Sequence, residues 1–311
     1  MRIDLSIVNT ASWGVKKYFK SYQNYFSYDH LIISSTYELK IFTHLSLHLR
    51  YILYNRKIHT WFPTGVIPIF ASNFSVTIHD LIPLLDSKNY NWFYRVYLKY
   101  MLKYKLPQAS NIYTVSHTVA DELKSVFKIK NEIIVTYNFT KLKNFYSYKE
   151  EIFLPDEYFL YVGNFAAHKG LKNLLSLWTR VPFILVCVID KRDPQCMDYG
   201  LQNNVIFLDK CDEIWLTRLF AKSRGLIFPS THEGFGIPGI EANALNRRVV
   251  YNNIPVFTEI FSYSERNICF DFSNGDYLNL VSILKELSSD FSLNDTVPHY
   301  FCSPKNIIFE C

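Results

Sequence analysis

The chain of 311 residues is 49% hydrophobic and 17% aromatic, which excludes a disordered polypeptide; ten glycines and twelve prolines exclude a fibrous or low-complexity one. At about 100–200 residues per domain, the length predicts two domains, each with its own core. The net charge of +5 is uneven: residues 1–150 hold 19 Lys+Arg against 9 Asp+Glu, the remainder 14 against 19, so the first half suits an anionic partner.

In chain order, strands are predicted at Arg2 to Val8, Leu31 to Ile33, Ser75 to Ile78, Ile112 to Val115 and Ile133 to Val135. Asp4 interrupts the first apolar residues, so the opening does not read as a signal peptide. A helix over Tyr90 to Lys105 carries Phe93, Val96, Tyr97, Tyr100 and Tyr104 on one side and Arg95, Lys99 and Lys103 on another. Such a helix either rests on an anionic membrane surface or packs its aromatic stripe on the core. Phe145 to Tyr158 reads as a linker, dividing a domain over 1–150 from one over 151–311. Beyond it come a strand at Tyr158 to Val162, a helix at Lys169 to Trp178, and strands at Phe183 to Ile189 and Val205 to Leu208. A helix over Asp212 to Ser223 precedes strands at Leu226 to Phe228, Val249 to Tyr251 and Ile268 to Phe272, and a helix over Gly275 to Leu287 follows. Continuous apolar strands between helices imply two doubly wound parallel sheets, whose ligands sit beyond the carboxyl ends of the strands. No apolar run approaches the ~18 residues of a membrane span. Six cysteines without a Cys-x-x-Cys pair fit a reducing, cytoplasmic compartment.

The loop after Phe228 carries the chemistry. It runs Pro229-Ser230-Thr231-His232-Glu233-Gly234-Phe235-Gly236-Ile237-Pro238-Gly239-Ile240-Glu241. Two glycines allow a tight turn and Pro238 suits the first helical position, so backbone N–H groups and the helix dipole form an anion site fit for a diphosphate. Glu233 and Glu241, eight residues apart and the latter in the first helical turn, can each accept hydrogen bonds from hydroxyls. A phosphate cradle between two hydroxyl-binding carboxylates describes a nucleotide-sugar site.

This segment resembles the Glu-x7-Glu motif of retaining glycosyltransferase family 4, which has the GT-B fold of two facing Rossmann-like domains. Three more segments match in the family's order: Thr77-Ile78-His79-Asp80-Leu81-Ile82-Pro83-Leu84, Val115-Ser116-His117-Thr118, and Tyr161-Val162-Gly163-Asn164 followed by His168-Lys169-Gly170. The resemblance covers residues 2 to about 289 and leaves Val297 to Cys311 unmatched. It implies that Glu233 contacts donor-sugar hydroxyls, Glu241 holds the ribose, Lys169 neutralises the departing diphosphate and His79 reaches the donor sugar. Gly234, Phe235 and Gly236 would offer backbone donors to the phosphates, with Ser230, Asn164 and His168 beside them. Asp80, Gly14 and Ser116 fall on the acceptor side, although Ser116 also reads as a helix N-cap. His168 stands where arginine is common, Asn246 where the family has a glycine, and the glycine-rich first loop is reduced to Trp13-Gly14-Val15-Lys16.

The subgroup with this wording is met in bacterial O-antigen and capsule assembly, often as mannosyltransferases. The resemblance therefore implies hexose transfer with retention, first from GDP-mannose, to a polyprenyl-diphosphate-linked glycan or oligosaccharide, at the inner face of the cytoplasmic membrane. No metal or other cofactor is expected: Asp-x-Asp, which metal-dependent glycosyltransferases of the other major fold usually carry, is absent, and His44 and His48 lack the glutamate of a zinc site. Nucleic acid is disfavoured as a partner, since no binding motif accompanies the charge. The competing expectation is a catalytically weak relative that binds glycan or scaffolds an assembly, suggested by the reduced set of cations.

Overall fold

The computed structural model describes residues 2–3, 13–22, 59–85, 90–139, 154–199, 202–274 and 276–289. The strand expected at 31–33, His44, His48, the linker residues 145–153 and the segment 297–311 lie outside these. The described residues fall into two units, the first ending at Phe139 and the second taken up at Leu154.

The first unit contains β1 (Arg2–Ile3), α1 (Trp13–Tyr22), β2 (Thr60–Phe62), β3 (Phe74–Ile78), α2 (Ile82–Leu85), α3 (Trp92–Tyr100), β4 (Asn111–Thr114), α4 (His117–Phe127) and β5 (Ile133–Val135). Its sheet has the order β1-β2-β3-β4-β5 with every pairing parallel. β2 and β3 are buried along their whole lengths, as strands covered on both faces must be. The strands expected near 75, 112 and 133 lie within one residue of their predicted starts. β2 was not foreseen, because Thr60-Trp61-Phe62 opens on a polar residue and runs straight into Pro63, which reads as a turn rather than a strand. Its neighbours fix it: the Trp61 indole N–H donates to Thr77 Oγ1 on β3 at 3.0 Å.

The second unit contains β6 (Phe159–Val162), α5 (Leu171–Trp178), β7 (Leu185–Ile189), α6 (Gln195–Tyr199), β8 (Val205–Asp209), α7 (Glu213–Lys222), β9 (Leu226–Phe228), α8 (Ile237–Ala244), β10 (Val249–Tyr251), α9 (Pro255–Phe261), β11 (Ile268–Cys269) and α10 (Tyr277–Ser289). The sheet order is β11-β10-β9-β6-β7-β8, again wholly parallel. From β6 the chain winds outward through β7 and β8, then returns to the other side of β6 for β9 to β11. That reversal between β6 and β9 is a topological switch point, where two adjacent loops diverge and leave a crevice. Beneath it, Leu174, Trp178, Leu185, Ile227, Leu280 and Leu284 form the core between sheet and helices.

Several expectations need correction. The helix predicted over Lys169 to Trp178 is broken: Ala167–Lys169 form a short 3-10 turn, Gly170 is left-handed at φ 68°, and α5 starts at Leu171. A side chain at Gly170 would bring Cβ within 2.2 Å of the Pro229 carbonyl oxygen, so the close approach of two loops dictates the break. α8 begins at Ile237, which makes Pro238 its second residue and places Glu241 in the second turn rather than the first. The strand expected over Ile268 to Phe272 is confined to Ile268–Cys269. α6 and α9 were not foreseen. α9 has only seven residues, and it is held by Phe257 and Phe261 stacking on Phe228 and Tyr251, with Phe257 4.4 Å from Phe228 between ring centroids. Asn246 does adopt the left-handed conformation expected where the family has glycine, at φ 60°. Among the described residues no helix is long and apolar enough to cross a membrane.

Candidate functional site

The loops after β6 and β9 leave the switch point side by side and are stitched together. The Thr231 amide donates to the His168 carbonyl at 2.8 Å, and Gly170 presses against Pro229. This stitching brings Lys169 and Glu233, 64 residues apart in sequence, into an ion pair with Nζ 2.6 Å from Oε1. Both side chains are largely withdrawn from solvent, so the attraction is screened less than at an open surface. Lys169 is the last residue of the 3-10 turn, ahead of the helix that the sequence had it start, and its partner is a carboxylate of the second loop.

Beside this pair, the Tyr161 hydroxyl donates to the Asn164 carbonyl at 2.9 Å, and Asn164 Oδ1 accepts from the Ala166 amide at 3.0 Å. Burial, with the neighbouring Cys187 and Glu233 adding to it, pushes the Tyr161 phenol well above its ordinary range, so it remains a protonated donor. The β9 loop is pinned from behind by Asn252, whose side-chain amide donates to the Ser230 carbonyl at 3.2 Å while its own backbone N–H bonds Phe228. Ser230 is fully buried and its hydroxyl has no hydrogen-bond partner among the described residues. Gly234, Phe235 and Gly236 are buried in sequence. Gly236 turns the chain into α8 at φ 103°, a conformation that side-chain-bearing residues rarely adopt. The amides at the start of α8 lack a carbonyl four residues behind them within the helix, and the helix dipole adds partial positive charge there. Glu241 is buried on the same helix, 7% exposed. One loop pair thus presents an ammonium, a carboxylate and a helix start, which is the donor set for a group that is anionic at one end and hydroxylated at the other.

The remaining predicted residues belong to the first unit. His79 follows β3 directly; its Nε2–H donates to the Pro63 carbonyl at 2.7 Å and its ring stands edge-on to Tyr18 at 4.9 Å. Desolvation pushes the imidazole down to about 4, against the opposing pull of the Pro63 carbonyl, so near neutral pH it is uncharged with Nδ1 carrying the lone pair. Gly14 lies on α1 one helical turn before Tyr18. Asp80 Oδ1 accepts at 3.0 Å from the amide of Ile82, the first residue of α2. Ser116 Oγ accepts from the Val119 amide at 3.2 Å, the N-cap of α4. Tyr18, Tyr161 and Asn252 were not singled out from the sequence. Tyr161 lay inside a quoted motif, whereas Tyr18 and Asn252 act through contacts across the fold that no local pattern announces. Among the described residues, no group of three or more His, Cys, Asp or Glu could hold a metal ion.

Comparison with known proteins bears on the family and the fold. Residues 143–290 match the family of glycosyl transferases group 1. The O-antigen chain mannosyltransferase RfbU of Salmonella typhimurium is 31% identical over 200 residues, a match covering 61% of this chain and 55% of RfbU. The chain thus spans about half the length of that curated relative. Among solved structures, Anabaena HepE, crystallised with UDP-glucose, superposes with a TM-score of 0.66 at 15% identity, over 93% of this chain and 90% of HepE. WaaG, a glycosyltransferase involved in lipopolysaccharide biosynthesis, gives 0.64 at 10% identity over 93% and 90% of the two chains. At such identities the likeness speaks for the fold, which is the GT-B class of two parallel-sheet α/β units. Residues 143–290, the greater part of the second unit, thus match a glycosyltransferase group 1 domain in sequence.

Proposed function

We propose that the protein is a glycosyltransferase that moves a hexose from a nucleotide sugar to a lipid-linked or oligosaccharide acceptor during O-antigen assembly. The observation that carries the reading is the Lys169–Glu233 pair at the switch point of a group 1 domain. The likeness to RfbU, named as a mannosyltransferase, favours mannose as the sugar; GDP-mannose is the donor this reading assigns to it. In this reading the pair is exchanged on binding: the donor diphosphate takes the Lys169 ammonium while sugar hydroxyls donate to the released Glu233 carboxylate. Gly234, Phe235, Gly236 and the start of α8 supply backbone donors to the phosphates, with Ser230, Asn164 and His168 around them, and Glu241 accepts from the ribose. The bond from the anomeric carbon to the diphosphate oxygen breaks, its electron pair leaving on the diphosphate, where Lys169 offsets the new charge. The acceptor hydroxyl bonds to the anomeric carbon on the same face and passes its proton to the departing phosphate, giving retention. Each fixed donor of this kind contributes ~10²–10³ in rate.

The test is thermal unfolding with GDP, UDP, dTDP and CDP in turn. A nucleotide at 100 times its dissociation constant stabilises by ~2.7 kcal/mol, and the reading expects one base to do so and Lys169→Ala to abolish the shift. Absence of any shift in folded protein, together with no donor-dependent turnover, would overturn it in favour of a glycan-binding or scaffolding relative.

A further inference from the structure

The sequence left open whether the aromatic helix of the first unit faces its core or a membrane, and the side chains divide the two roles. α3 and the π-helical turn that extends it, Met101–Lys105, bury Leu98, Met101 and Leu102. Tyr97 turns inward as well and donates its hydroxyl to the Ile67 carbonyl at 2.5 Å. The rest of the stripe looks outward: Trp92 and Phe93 are 63% and 74% exposed, and Val96, Tyr100 and Tyr104 continue the row. Two neighbouring segments extend it. The loop with exposed Ile69 and Phe70 is tied alongside by the Tyr97 bond and by Lys105 Nζ donating to the Ala71 carbonyl at 2.7 Å. The end of α2, with exposed Leu85, is tied by the Arg95 guanidinium to the Pro83 and Leu84 carbonyls, each at 3.2 Å. Three segments therefore make one apolar, aromatic surface within a single unit.

On α3 and the turn that extends it, the charge has one sign. Residues 87–120 contain no Asp or Glu, whereas Lys99 and Lys103 are exposed among the aromatic side chains and Lys103 lies 5.2 Å from the ring centre of Tyr104. Aromatic rings with a polar edge beside lysines on long apolar stems fit the boundary between lipid tails and headgroups, where the rings enter and the ammonium groups reach anionic phosphates. A second copy fits less well, because a two-fold contact through this patch would set the lysines of one copy against those of the other. We infer that the surface formed by α3, the loop at Ile69–Phe70 and the end of α2 docks the protein onto an anionic lipid bilayer. The inference stands on the first unit alone and is independent of the nucleotide-sugar reading.

Sedimentation with vesicles of phosphatidylcholine, with and without about one-third phosphatidylglycerol, tests it. The expected result is binding to the anionic vesicles that weakens with added salt. Lys99→Gln and Lys103→Gln should each lower that binding about fivefold. Trp92→Ser with Phe93→Ser should lower it roughly tenfold or more while leaving the unfolding temperature within a few degrees, since both rings are exposed. Equal binding to both vesicle types, no binding to either, or full binding by the Trp92/Phe93 double variant would overturn the inference. So would concentration-dependent self-association that the same double variant abolishes, which would assign the surface to a second copy.

Discussion

The two units reach their sheet ends with opposite chemistry. The second holds a charged pair, Lys169 and Glu233, on two loops that meet at a switch point. The first holds His79 without charge, enclosed by the Tyr18 ring and donating to a backbone carbonyl. The charged site is assembled by backbone proximity: a glycine without a Cβ lets one loop touch another, and the functional side chains follow. The neutral site is assembled by side chains, with Tyr18 OH 2.8 Å from Thr136 Oγ1 and the Trp61 indole on Thr77 holding α1, β2, β3 and the segment after β5 around the imidazole. The difference teaches that substitutions in the second unit act on a charged pair and the approach of two loops, whereas in the first they act on desolvation and packing.

The sharpest way to break the comparison is Glu233→Ala, with turnover measured against nucleotide binding. Loss of a fixed polar partner of the reacting group should lower turnover by ~10²–10³ while the nucleotide-induced thermal shift survives. If turnover is unchanged, the charged pair is structural and the contrast between units fails. Gly170→Ala comes next. A Cβ 2.2 Å from a carbonyl oxygen, at φ 68°, should destabilise by about 3 kcal/mol and weaken nucleotide binding with it, read by chemical denaturation and thermal shift. An unchanged midpoint would mean that the two loops approach less closely than their geometry requires.

For the first unit the sharpening experiment is pH. His79 takes up a proton near 6.5 when unfolded and only near 4 when folded, so stability is intact above 6.5 and falls as the pH drops from there towards 4. At pH 4.5 the loss from this group should be about 2 kcal/mol relative to pH 7.5, and His79→Gln should remove that increment from the denaturation curves. An identical acid response in the variant would show that the imidazole is not held neutral by burial. The smallest expected effect is Ser116→Ala, which removes the N-cap of α4 and should cost about 1 kcal/mol in unfolding free energy. A much larger loss of activity than of stability there would move Ser116 from the capping role to the acceptor side.

Much was legible before any tertiary structure. The alternation of short apolar runs with amphipathic segments gave the class of both sheets, because strands covered on both faces must be continuously apolar. β5, β9 and β10 lie where the runs of Ile, Val, Leu and Phe placed them. Asp212 was read as the start of a helix, and its carboxylate does accept from the Trp215 amide, since caps are written within four residues of sequence. Two elements were not legible: β2 and α9 depend on what they touch, not on what they contain. Likewise the sequence named Lys169 and Glu233 but took Lys169 for a helix start, because the break at Gly170 arises from Pro229, a residue of another loop.

By itself, then, the sequence determined the residue types at the strand ends, the glycines that permit tight turns, and the charge asymmetry between the halves, since all three are properties of local chemistry. The tertiary structure decided which of those residues meet: the ion pair across 64 residues, the desolvation of His79, and which rings of α3 face inward. The physical reason is that pairing, desolvation and exposure depend on distances through space, which the order of strands in a sheet sets and the order of residues along the chain does not.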